Sequence, residues 1–180
     1  MRRGSSALLC ARSAVRIAVL GLLLLVVGAG AGCLGAPRSG WGSSMTEEEI
    51  EAALAPLPPE ARRQLMPLSE VFYERITSRR FNSRATFEDP SLRRFFPSVS
   101  AYSDYYAALA DALDRAHVRF TRPQSITLLG IESLGNGSLR LALRFVGEND
   151  LPLRWWSASL EREDEWQWRQ GQWWLVPGKV

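Results

Sequence analysis

Histidine, lysine and cysteine are scarce in this chain of 180 residues, and each scarcity closes off a class of function. His117 is the single histidine, so a histidine dyad and a histidine-rich metal site are excluded. Ser-His-Asp catalysis would need His117 as its base, yet no Gly-x-Ser-x-Gly elbow is present to offer a nucleophile. Two cysteines, Cys10 and Cys33, cannot make a disulfide scaffold. A calcium loop would need spaced acids around a glycine, and that pattern is missing. Fourteen glycines and ten prolines without a period exclude collagen, and 46% hydrophobic residues exclude a wholly disordered chain. No repeat of 20–50 residues is visible. Acids are absent from the first 32 residues. Four of the 22 basic residues lie there, leaving 18 against all 19 acids beyond it. The leader therefore carries +4 and the remainder −1, which together make the formal charge of +3. That removes the simplest argument for a nucleic-acid partner, and none is expected.

What is present begins with that leader. Arg2, Arg3, Arg12 and Arg16 precede an uncharged apolar run from Ile17 to Ala36, densest over Ile17 to Val27. Gly28-Ala29-Gly30-Ala31-Gly32-Cys33 follows. A basic n-region, an apolar h-region and a small-residue exit make a secretory signal. The run is just long enough to span about 30 Å of hydrocarbon, so an uncleaved anchor is the rival. Its Gly and Ala half and the lack of an aromatic or basic stop speak for cleavage. Ala29-Gly30-Ala31 suits an ordinary signal peptidase.

Gly30-Ala31-Gly32-Cys33 resembles a bacterial lipobox, with Gly30 departing from the usual aliphatic residue. Cys33 would be the one thiol of the exported chain, with no disulfide partner. The resemblance implies that Cys33 becomes an acylated N-terminus, since two or more acyl chains anchor stably. It also implies an outer-membrane location facing the periplasm rather than the inner membrane, because Leu34 and not Asp follows Cys33. The expected organisation is a signal peptide over 1–32, a lipidated flexible tether over 33–45, rich in Gly, Ser and Pro, and one α+β domain over 46–180. Trp41 is the tether's single large aromatic, free to rest at the bilayer interface or to pack on the domain.

Thr46-Glu47-Glu48-Glu49 is a capping box that starts a helix ending by Ala55. A second helix begins near Pro59, with Leu65, Leu68, Phe72 and Ile76 on one face, and Pro67 is expected to kink or split it. Phe87-Glu88-Asp89-Pro90 reads as a turn. The clearest helix runs from Ser98 or Ser100 to Ala116, with a stripe of Tyr102, Tyr106, Leu109 and Leu113. Period two then takes over. Strands are expected over 125–133 and 139–146, joined by a Gly135-Asn136-Gly137 hairpin. Another is expected over Leu151 to Trp168, long or bulged, and a return at Trp173-Trp174-Leu175-Val176. Helices followed by a meander predict an α+β fold, N-terminal helices packed on a curved antiparallel sheet. That order, with the ending Gln170-Gly171-Gln172-Trp173-Trp174-Leu175, resembles the nuclear transport factor 2-like superfamily and its α+β cone. The superfamily holds cyclases, isomerases and dehydratases as well as non-catalytic binding modules, and fold alone does not choose.

Each chemical candidate has a plain alternative. His117 suits the end of a helix. Glu88-Asp89 suits a turn or cap, and Glu161-Arg162-Glu163-Asp164-Glu165 reads as a solvated strand. Arg79, Arg80, Arg84, Arg93 and Arg94, interleaved with Phe81, Phe87, Phe95 and Phe96, could face a lipid headgroup or pair with acids while the rings enter the core. Six of seven tryptophans lie in 155–174. Trp155 and Trp156, and Trp173 and Trp174, should point to opposite faces of their strands, one set filling the core and the other forming a ligand or partner surface. Arg140, Arg144 and Arg154 could stack on exposed rings. The resulting expectation is a membrane-anchored envelope lipoprotein, a non-enzymatic binding module for a small apolar ligand or a protein partner. Its ligand residues would be Trp155, Trp156, Trp173 and Trp174, and its lipidation site Cys33. No cofactor, metal or catalytic residue is expected. The rivals are a polyketide-cyclase or ketosteroid-isomerase-like enzyme with an acid–base site inside the cone, and a structural envelope component.

Overall fold

A computed structural model describes residues 40–178. The leader, Cys33 and residues 34–39 lie outside the described residues. The chain forms β1 (Gly40–Ser43), α1 (Glu47–Leu54), α2 (Pro59–Thr77), the single turns α3 (Arg84–Phe87) and α4 (Pro90–Arg93), and α5 (Val99–Arg115). A 3-10 turn over Arg119–Thr121 leads to β2 (Ser125–Gly135), β3 (Ser138–Glu148), β4 (Ser157–Arg169) and β5 (Gln172–Val176). The strands form one sheet in the order β1-β2-β3-β4-β5, curled into a half-barrel against which the helices pack, an α+β cone-like fold. Among the described residues no helix is long and apolar enough to cross a membrane.

The sequence dictates most of this locally. Thr46 accepts from the Glu49 amide at 3.2 Å, while the Glu49 carboxylate accepts from the Thr46 amide at 2.7 Å, which completes the capping box. Asn136 and Gly137 both have positive φ and connect β2 to β3 in a two-residue turn, which residues with side chains rarely support. Along β3, Leu139, Leu141, Leu143 and Phe145 are buried and meet Leu65, Phe72, Tyr73 and Ile76 of α2 and Leu109 and Leu113 of α5 in one core. Outside, Arg140 bridges Glu132 and Glu163, and Arg144 bridges Glu161 at 2.7 Å. Exposed pairs of this kind add little stability, but they keep the outer face wet.

Four expectations are corrected. First, the flexible tether fails for residues 40–45. Gly40 to Ser43 pair in parallel with Ser125 to Leu128, which makes the sheet mixed rather than purely antiparallel. An edge strand is held by backbone groups, so Gly and Ser do not prevent it. The Gly40 amide donates to Gln124 and the Ser44 amide to Leu128, both at 2.9 Å. Trp41 supplies the side-chain anchor by stacking on Tyr73 at 4.8 Å. Second, α2 runs unbroken through Pro67, because Pro67 and Arg63 lie on the exposed face, where water can take the carbonyl left without an N–H donor. Third, β4 begins at Ser157, not Leu151. Pro152 and the positive φ of Leu153 break the strand, and Asn149 Oδ1 accepts from the Leu151 amide to close a turn. Fourth, Tyr105 rather than Tyr106 joins Tyr102, Leu109 and Leu113 in the fully buried stripe of α5.

Gly147 positions the segment that leads from α5 into β2. A Cβ there would lie 2.8 Å from a Val118 methyl and 3.0 Å from the Arg122 carbonyl, so the 118–123 segment can rest on β3 only over glycine.

Candidate functional site

The interior of the half-barrel carries one charge cluster. On β4 the even residues Leu160, Arg162, Asp164, Trp166 and Trp168 turn inward, so Asp164 lies among the rings, not in solvent. This corrects the solvated reading of residues 161–165 at Asp164. Glu161 and Glu163 do stay outside. Asp164 Oδ2 accepts from the Tyr73 hydroxyl at 2.9 Å and the Tyr105 hydroxyl at 2.8 Å. Its Oδ1 accepts from Arg162 Nε at 2.8 Å, and Trp166 Nε1 donates to the Tyr73 oxygen at 3.2 Å. The Arg162 guanidinium also lies over the Tyr105 ring at 4.8 Å. Burial, and then the Asp164 charge, push both tyrosines well above the usual phenol range. Burial works against the Arg162 charge, but Asp164 beside it carries the balance upward.

This arrangement holds rather than reacts. The Asp164 side chain has no solvent exposure, and its three donors occupy both oxygens. A general acid or base must reach a substrate proton, directly or through one water. The sealed Asp164 carboxylate presents no exposed oxygen for such a contact. Sequence reasoning missed this residue, although a signal existed: Asp164 shares strand parity with Trp166, and a buried Trp166 carries Asp164 inward with it.

The four tryptophans named from the sequence do not form one site. Trp173 and Trp174 do face opposite sides of β5. Trp173 is buried, donates Nε1 to the Ala61 carbonyl at 2.9 Å and packs on Trp168, while Trp174 is half-buried on the outer face. Trp155 and Trp156 precede β4 in a turn, so the opposite-face expectation does not apply to them. They stand edge to face at 5.9 Å, 90% and 52% exposed. Arg154 does stack on Trp156, at 5.5 Å, whereas Arg140 and Arg144 spend their charge on the outer ion pairs.

Most of the arginine–phenylalanine segment takes its plain alternative. Phe81, Phe95 and Phe96 are buried, Arg79 pairs with Asp89 and Arg84 with Glu88, and Arg93 donates to the Phe87 carbonyl. Asp89 caps α4 and also takes Arg75. Burial opposes its charge, but Ser91 and Arg75 outweigh that and lower its pKa to about 2. His117 ends α5: it adopts φ 59° while its amide and that of Val118 close back on Asp114 and Leu113. It lies 3.2 Å from Asp150, half-exposed.

Two concave regions stand out among the described residues. One, of about 860 Å³, opens between α1 and α2 on a floor of Met45, Ile50, Leu54, Pro59 and Met66, with Glu47, Glu51, Arg62 and Arg63 at its rim. The other lies where β1 enters the sheet. There a groove of about 890 Å³, bordered by Gly40, Thr77, Phe120, Arg122 and Ser125, adjoins a smaller one of about 320 Å³ bordered by Arg154, Trp155 and Trp156. Arg119, Gln124, Glu148 and Ser157 form their common wall. Among the described residues no group of three or more His, Cys, Asp or Glu side chains is placed to hold a metal ion. No family model matches the chain, and no curated protein matches it.

Proposed function

We propose that this protein is a membrane-anchored lipoprotein of the bacterial envelope, acylated at Cys33, that serves as a non-enzymatic binding module for a small apolar ligand. The anchor rests on the leader and on Gly30-Ala31-Gly32-Cys33. The binding reading rests on where the open apolar surface lies. The cone interior is filled by Tyr73, Tyr105, Trp166 and their neighbours. The groove between α1 and α2, in contrast, leaves an apolar floor open at a volume typical of small-molecule sites. Met45 and Met66 suit it to ligands of irregular shape, because a thioether stem adapts its rotamer. The mixed charges on the rim also favour a second reading, an amphipathic helix of an envelope protein laid into the same groove.

Two experiments test this reading. Cells fed labelled palmitate should label the wild-type chain and not Cys33→Ser. Label and membrane sedimentation retained by the Ser variant would sink the anchor. The dye N-phenyl-1-naphthylamine should brighten on titration with the protein, and Ile50→Arg and Met66→Glu should abolish that response with the far-ultraviolet spectrum unchanged. A response indifferent to both substitutions, or none in the wild type, would remove the groove as the ligand site.

A further inference from the structure

The exposed aromatic side chains of the described residues are gathered at one end of the molecule. Phe120 is 55% exposed, Trp155 90% and Trp156 52%, and Leu153 beside them is 91% exposed. Two of these are presented by strained backbone: Phe120 and Thr121 have φ of 58° and 47°, and Leu153 has 64°. Positive φ is costly for any residue with a Cβ, and most of all for β-branched threonine, so the turn persists because other contacts impose it. Thr121 is pinned by two adjacent residues, Phe81 and Asn82. Its carbonyl accepts from the Phe81 amide and its hydroxyl from the Asn82 amide. Beneath the segment, Val118 and the Arg122 carbonyl rest directly on Gly147.

The same end is rich in arginine. Arg80 and Arg119 flank the Phe120 ring at 5.2 and 4.9 Å, and Arg154 covers Trp156. Arg119 pairs with Glu148, whereas Arg80, Arg122 and Arg154 make no ion pair among the described residues. The end is also where the chain enters the domain. Gly40 borders the groove that Phe120 and Arg119 border, and its strand partner is Ser125. It is the seventh residue after Cys33, a reach of at most about 25 Å.

From this juxtaposition we infer that the Phe120, Leu153, Trp155 and Trp156 end is a bilayer-docking face. It inserts its rings at the headgroup level of an anionic membrane while Arg80, Arg119, Arg122 and Arg154 contact lipid phosphate. Tryptophan prefers that interface, having an apolar body and one N–H for the wet side. Arginine matches phosphate with paired donors, and each basic group near an anionic surface strengthens binding about five-fold. The geometry rests on the acylated-Cys33 reading in one respect: an anchor seven residues from Gly40 holds this end, and not the opposite hairpins, against the membrane. Docking in turn leaves the α1–α2 groove free for its ligand.

The test uses the membrane-extracted full chain returned to phosphatidylethanolamine–phosphatidylglycerol vesicles with brominated acyl chains, which quench tryptophan only at short range. Quenching should be strong in the wild type and fall at least two-fold in Trp155→Ala/Trp156→Ala, whose palmitate label and circular dichroism should match the wild type. Equal quenching in both, with palmitate present, overturns the docking face and leaves the anchor standing. If the chain carries no palmitate, the anchor fails by itself, and the chain must still sediment with the anionic vesicles through this face. Arg122→Ala/Arg154→Ala should then weaken that binding at least ten-fold, and no sedimentation overturns the proposal. Protection of Trp155 and Trp156 by a soluble envelope protein, with vesicles giving none, would also overturn it in favour of a protein partner.

Discussion

Tryptophan placement carries the sharpest test at the level of single residues. Trp173 is sealed in the core and hydrogen-bonded to Ala61, so Trp173→Ala should cost about 3–5 kcal/mol. Trp174→Ala should cost distinctly less, and Trp155→Ala and Trp156→Ala within about 0.5 kcal/mol of nothing, as befits surface positions. Urea midpoints at constant slope would measure all four, and a large loss at Trp155 would show that the 149–156 turn holds the fold together. The Asp164 cluster offers a pH readout. Tyr73 and Tyr105 lose their protons far less readily folded than unfolded, because they are buried against a carboxylate. A raised folded pKa means stability that is complete below pH 10 and is lost as pH rises beyond it. Absorbance at 295 nm should therefore show little tyrosinate at pH 10–11 and then a rise coincident with loss of circular dichroism. A smooth titration near pH 10 in a still-folded protein would contradict the sealed network.

Between elements, short polar links do work that sequence periodicity does not announce. Asp89 joins α2 to α4 by accepting from Arg75 and Arg79 while capping α4 through the Ser91 amide and hydroxyl. Its pKa of about 2 lies below the ordinary aspartate value of 3.8. The sign follows: the stabilisation is present above about pH 4 and disappears as pH falls from 4 towards 2. Half-exposed Arg75 is partly screened, so the contribution is about 1–2 kcal/mol. Asp89→Asn should lose that amount at pH 7, and its deficit against the wild type should shrink towards pH 2. A deficit that stays constant across that range would assign the loss to the cap geometry rather than to charge.

For the molecule as a whole, β1 decides how the half-barrel closes. It extends the sheet past β2 and lays Trp41 on Tyr73, whose hydroxyl reaches Asp164. Trp41→Ala should lower stability by about 2–4 kcal/mol, or roughly 5–12 °C in thermal midpoint for a domain of this size. It should also bring the tyrosine titration closer to pH 10, since water then gains access to the Tyr73 ring. A midpoint within 2 °C of the wild type would return Trp41 to the tether.

The α+β order was legible in the sequence because it depends on local chemistry: the Thr46 capping box, the Asn136-Gly137 turn, the strict alternation of Leu139, Leu141, Leu143 and Phe145. Each acts within a few residues and needs no partner elsewhere. The basic, apolar and small-residue runs of residues 1–33 are legible for the same reason, since composition alone defines them. The parallel edge strand was not, because backbone groups hold Gly40 to Ser43 in place, and Trp41, its one large side chain, suits a bilayer interface as well as a core. The buried role of Asp164 was half legible, through its parity with Trp166, yet its partners Tyr73 and Tyr105 lie 91 and 59 residues away. Gathering Phe120, Trp155 and Trp156 around the Gly40 end was decided by the tertiary structure alone. Exposure is a property of what fails to cover a side chain, and only the packed fold determines which rings are left uncovered and which end of the sheet they share.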